Sequence, residues 1–175
     1  MKLERGVAIV GAVIILCLVA FRVMPALESQ WSVLETSTEF TLYSTRPVDS
    51  GNNTAPVTAE KFSTREAIRG QVGFPVYGKV TITDPVVKAE LINALKRSTK
   101  ESIGGTCTDE GPTHGIHAVN GQRVIDVAIN FDCQVIQFEE NGRIRRVLIT
   151  KTPQKLFDRV LTDANIPLAG PRGPY

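Results

Sequence analysis

The sequence predicts an α+β protein: an N-terminal transmembrane helix, then an antiparallel sheet with two main helices packed on one face. Three observations carry this. Gly6 to Phe21 reads GVAIVGAVIILCLVAF without a charge. Later segments alternate apolar and polar residues around two Asn-Gly dipeptides, Asn120-Gly121 and Asn141-Gly142, which is hairpin chemistry. Two further stripes, Val87, Leu91, Ile92 and Leu95, then Leu156, Phe157, Val160, Leu161 and Ala164, recur at helical spacing. Strands joined by hairpins rather than crossovers give an antiparallel sheet with segregated helices.

The apolar run extends to Leu27, interrupted only by Arg22. As one helix, residues 6–27 would span roughly 33 Å, enough for a hydrocarbon core of about 30 Å. A cleaved signal peptide is the rival, but Met24 and Pro25 stand where small residues are needed, which favours a retained anchor. Leu16 before Cys17 disfavours lipoprotein processing. Lys2 and Arg5 keep residues 1–5 inside and so put the domain outside, at the plasma (inner) membrane with the bilayer as a partner. The formal charge of +2 resides in this segment: Lys2, Arg5 and Arg22 against Glu4 leave seventeen basic and seventeen acidic residues beyond it. A basic nucleic-acid-binding domain is therefore not indicated.

Residues 28–37 read as a stalk and 38–167 as the domain, with 168–175 a flexible tail. Within the domain a strand is expected over Thr38–Thr45, a loop after Pro47, and a short helix over Glu60–Arg69. Val72–Thr83 alternates cleanly as a strand, with Pro75 marking an edge or bulge. Asp84-Pro85 is an N-cap followed by proline at the first helical position, and that helix runs to about Glu101. A turn at Asn120-Gly121 sets Ile116 against Ile125 and His114 against Val127. A turn at Asn141-Gly142 sets Glu140 against Arg143 and Ile136 against Val147. The strand from Arg123 to Phe138 would be about 50 Å long, so a bulge or bend is expected near Asp132 to Gln134. Thr152-Pro153 opens the closing helix.

Few residues suggest chemistry. His114 and His117 form an HxxH, but residues three apart on a strand point to opposite faces and cannot share an ion. His114 falls on the apolar face, where a histidine hydrogen-bonded to backbone is the simplest reading. His117 lies diagonally from Asp126 on the other face, within reach of an ion pair, so His114, His117 and Asp126 are the possible polar site. Cys107 and Cys133 fall in the expected exported part and are the disulfide candidate. A Cys107 or Cys133 nucleophile with His114 is the enzymatic alternative, without a protease signature. Arg143, Arg145 and Arg146 face Glu139 and Glu140 across a hairpin, which predicts salt-bridged edge strands.

FPVYGKVTITDP, Cys107, Pro112 to Ile116 (PTHGI) and Ile125 to Gln134 (IDVAINFDCQ) together resemble an uncharacterised group of small exported bacterial proteins. That group has a C-x-x-P-R-H-G-I segment followed by I-C-F-E-C. The resemblance covers about residues 72–135; Thr113 stands for the group's arginine and Asn130 for its first close cysteine. It implies export and a shared fold, and no named activity.

The functional expectation is a membrane-anchored extracytoplasmic binding or scaffolding protein, non-catalytic, with a possible envelope protein partner and no cofactor. The alternative is an enzyme or metal-binding protein with its site around Cys107, His114 and Cys133.

Overall fold

The computed structural model describes residues 27–45, 58, 60–62, 73–102 and 111–169. The chain divides into two compact units, Met1–Ser32 and Val33–Tyr175, and the sheet lies wholly in the second. Helix α1 covers 27–36 among the described residues. It is followed by β1 (Glu39–Thr45), β2 (Lys61–Phe62), β3 (Phe74–Thr81), α2 (Pro85–Glu101), β4 (His114–Asn120), β5 (Arg123–Asn130), β6 (Val135–Glu140), β7 (Arg143–Leu148) and α3 (Gln154–Asp163). The strands form one antiparallel seven-stranded sheet in the order β2-β3-β1-β4-β5-β6-β7.

Among the described residues no helix is long and apolar enough to cross a membrane. α2 would span about 26 Å, short of a hydrocarbon core, and it carries Lys88, Glu90, Lys96, Arg97, Lys100 and Glu101. The expected single-pass anchor over 6–27, and with it the inner-membrane placement, is not supported, since no described helix can cross a membrane; residues 1–26 themselves lie outside the described residues. The predicted fold class becomes a seven-stranded curled sheet with three described helices. The expected stalk is helical from 28 to 36 and buries Val33 and Leu34.

Period-two alternation decides the core. Phe40, Leu42, Ile116, Ile125, Val127 and Phe138 share one face and are at most 1% exposed. α3 packs on that face through Phe157, whose ring meets those of His114 and Phe131 edge-on. Burying Phe157 and Leu161 stabilises by roughly 1.5–3 kcal/mol each. α2 starts where Asp84 Oδ1 accepts from the Val86 N–H at 2.7 Å, with Pro85 in the first turn. It buries Leu91, Ile92 and Leu95.

The opposite face is partly covered because the sheet curls. β2 is three strands away from β4, about 14 Å in a flat sheet, yet a Cβ on Gly115 would lie 2.8 Å from the Phe62 ring. Phe62 also packs on Tyr43, with ring centroids 5.2 Å apart. The short helix expected over Glu60–Arg69 is thus replaced at Lys61–Phe62 by a strand; 63–72 lie outside the described residues. The irregularity expected near Pro75 falls beside it: Ser44 pairs with Gly78 but Thr45 with Val76, leaving Tyr77 as the extra residue.

The Asn141-Gly142 hairpin has the predicted register, and positive φ at both residues (52° and 71°) is the type I′ signature. The other hairpin is shifted by two residues. Asn120 pairs with Arg123, so Gly121, at φ 59°, becomes the first central residue, as a type II′ turn requires. A shift of two keeps every side chain on its predicted face. The expected bend after Asn130 is a full reversal: β5 and β6 pair antiparallel across the turn at 131–134. Asn130 Oδ1 accepts from the Cys133 N–H at 2.9 Å and Gln134 adopts φ 54°, which together turn the chain back. Cys17 and Cys107 lie outside the described residues, so no disulfide joins two described cysteines and the Cys107–Cys133 link is not shown. Cys133 itself is bonded rather than a free thiol.

Candidate functional site

His114 sits at the start of β4 on the apolar face, 3% exposed. Its Nδ1 lies 3.0 Å from the Thr113 hydroxyl and its Nε2 3.0 Å from Asp158 Oδ1 on α3. The Phe131 and Phe157 rings enclose it edge-on. The expected backbone partner is replaced by two side chains. A neutral imidazole has one donor and one acceptor, and here both nitrogens are engaged, so His114 braces β4 against α3. Asp158 is 44 residues away in the chain, and no local pattern pointed to it.

His117 points to the other face, where His117 and Asp126 are direct cross-strand partners. Nδ1 of His117 is 2.8 Å from Asp126 Oδ1, and both side chains are about one-third exposed. The two-residue register shift turned the expected diagonal into this direct pair. The structure thus separates His114 from His117 and Asp126 by the thickness of the sheet. Thr41 is the β1 partner of His117, so hydroxyl, imidazole and carboxylate follow one another across three strands. Thr41 is buried, however, and its hydroxyl is shared with Thr81 at 3.3 Å. An enzyme needs its nucleophile in hydrogen-bond reach of the base and open to substrate.

Beside this row Lys79 Nζ is 2.8 Å from Glu60 Oε1 and lies over the Tyr43 ring, 5.7 Å from its centroid. The Tyr43 hydroxyl donates to the same carboxylate at 3.5 Å. Burial chiefly, and Glu60 besides, push the Tyr43 hydroxyl above its usual 10.0, against the lowering effect of Lys79. The bond to Glu60 raises the Lys79 ammonium above 10.5.

At the far edge Glu140 takes a different arginine from the one predicted opposite it. Glu140 faces Arg143 in register, but it accepts from Arg123 Nε at 2.7 Å. Arg146 Nε donates to the neutral Gln137 Oε1 at 3.0 Å. Among the described residues no group of three or more His, Cys, Asp or Glu side chains is placed to hold a metal ion. Of the alternative site, Cys107 lies outside the described residues, and a metal at His114 would have to displace Thr113 or Asp158. No family model matches the chain, and neither curated proteins nor solved structures provide a match.

Proposed function

We propose that this chain is a non-catalytic binding or scaffolding protein. One observation supports the reading: each histidine is committed to its own carboxylate, on opposite faces of the sheet. The base-like pair His117–Asp126 has only a buried, already shared threonine hydroxyl as its cross-strand neighbour on β1. An antiparallel sheet whose histidines are each closed on a carboxylate suits recognition better than turnover. The test assays the full chain against panels of ester, amide and phosphoester substrates, beside His117→Ala. No turnover distinguishable between the two proteins is expected. Hydrolysis by the wild type that disappears in His117→Ala would overturn the reading.

A further inference from the structure

We infer that Asn141 is a site of spontaneous covalent modification, where the side-chain amide is lost and an isoaspartyl linkage enters the β6–β7 turn, whereas the same dipeptide at Asn120 is shielded by the fold. The chain contains two Asn-Gly dipeptides, Asn120-Gly121 and Asn141-Gly142. Glycine has no side chain to hinder its own amide nitrogen, so in an unfolded chain both asparagines are open to attack by that nitrogen. At Asn141 the nitrogen of Gly142 bonds to Cγ and gives up its proton. The Cγ–Nδ2 bond breaks, and the side-chain nitrogen leaves as ammonia. Water then opens the resulting five-membered imide at one of its two carbonyls, giving aspartate or isoaspartate. One water is consumed and one ammonia released, and nothing is oxidised or reduced.

The two turns place their dipeptides differently. Asn141 and Gly142 are the two central residues of their turn, at φ 52° and 71°, and both are exposed. The cross-turn bond joins the residues on either side of the central two, here Glu140 and Arg143. The ladder therefore needs neither the Asn141 carbonyl nor the Gly142 N–H. Asn120 is instead the last residue of β4, paired with Arg123, and its Nδ2 donates to Thr36 Oγ1 at 2.6 Å. Closing the imide ring there must break the bond to Thr36 and rotate a peptide that the ladder holds. The two products at Asn141 also differ in consequence. Aspartate keeps the turn, because Asp-Gly suits type I′ as Asn-Gly does. Isoaspartate routes the backbone through the side chain and adds a methylene, so the connection no longer matches the Glu140–Arg143 pair. Either product adds a carboxylate next to Glu139 and Glu140.

The full chain is aged in mildly alkaline buffer and mapped by peptide mass, with aspartyl and isoaspartyl peptides separated by chromatography. Asn141 is expected to convert at least about fivefold faster than Asn120, whose ring closure must first break a hydrogen bond. In urea the two rates are expected to converge. Amide exchange at Glu140 and Arg143 is expected to quicken in the isoaspartyl fraction and to stay unchanged in Asn141→Asp. Equal rates in the folded chain, a faster Asn120, or a difference that persists undiminished in urea overturns the inference. So does exchange at Glu140 and Arg143 that is the same in the isoaspartyl fraction as in Asn141→Asp.

Discussion

Nδ1 of His117 and Oδ1 of Asp126 meet 2.8 Å apart across directly opposed positions of β4 and β5, one sheet thickness from the buried His114–Asp158 pair. The two pairs have the same chemistry in different surroundings. At His117 both partners reach water, so the interaction is screened and worth at most about 1 kcal/mol. At His114 the imidazole is nine-tenths buried or more, and removing one partner strands the other in the core.

A double-mutant cycle separates them. His114→Ala is expected to cost about 2–4 kcal/mol in urea denaturation, through lost packing against Phe131 and Phe157 and an unpaired Asp158. Asp126→Ala is expected to cost less than about 1 kcal/mol. The His114→Ala/Asp158→Ala cycle should show coupling of about 1 kcal/mol or more. Independent, additive losses there would mean that the brace between β4 and α3 does not exist.

Gly115→Ala tests the curl. Its new Cβ would sit 2.8 Å from the Phe62 ring, so the substitution is expected to destabilise by about 1–3 kcal/mol through overpacking. Phe62→Leu in the same protein should recover part of the loss. A Gly115→Ala protein as stable as the wild type would show that Phe62 does not rest on β4.

Alkaline titration examines the Tyr43–Glu60–Lys79 cluster. Tyr43 and Lys79 both hold their protons more tightly folded than unfolded. Their contribution is therefore fully present below about pH 10 and is lost as pH rises through the elevated folded values. Tyr43→Phe should flatten the fall in stability above that pH, and tyrosinate absorbance should show one wild-type transition above the ordinary value that Tyr43→Phe lacks. Identical alkaline profiles for the two proteins would remove the cluster as a source of stability.

Strand faces were legible in the sequence because side-chain alternation has a period of two and survives any even register error. His117 and Asp126 stayed on one face although the turn at Gly121 moved their pairing by two residues. Turn type was less legible: Asn-Gly suits type I′ at Asn141-Gly142, but the same dipeptide at Asn120-Gly121 places only its glycine at positive φ. The reversal after Asn130 was legible only as a bulge or bend near Asp132 to Gln134, because apolar-polar alternation continues through it and its turn rests on one asparagine side chain and a left-handed Gln134. Asp158 and Phe62 were illegible as partners of His114 and Gly115, since their contacts exist only once the sheet has curled and α3 has docked. The N-terminal apolar run was read as a spanning helix from length and hydropathy alone, and the described helices do not include one.

The central position of β1 makes order of synthesis matter. β4 to β7 form a meander whose strands are joined by short turns, so they can pair as soon as they leave the ribosome. β1 is made earlier but bonds to β3 and β4, and the chain must close a loop of about 75 residues before Thr41 can face His117. Until then β4 is an unpaired border of the meander and β1 can pair with β3 alone. A ribosome-bound chain that ends before β4 thus holds β1 with only one of its two edges filled, and the period in which the other edge can be captured by another chain depends on translation speed.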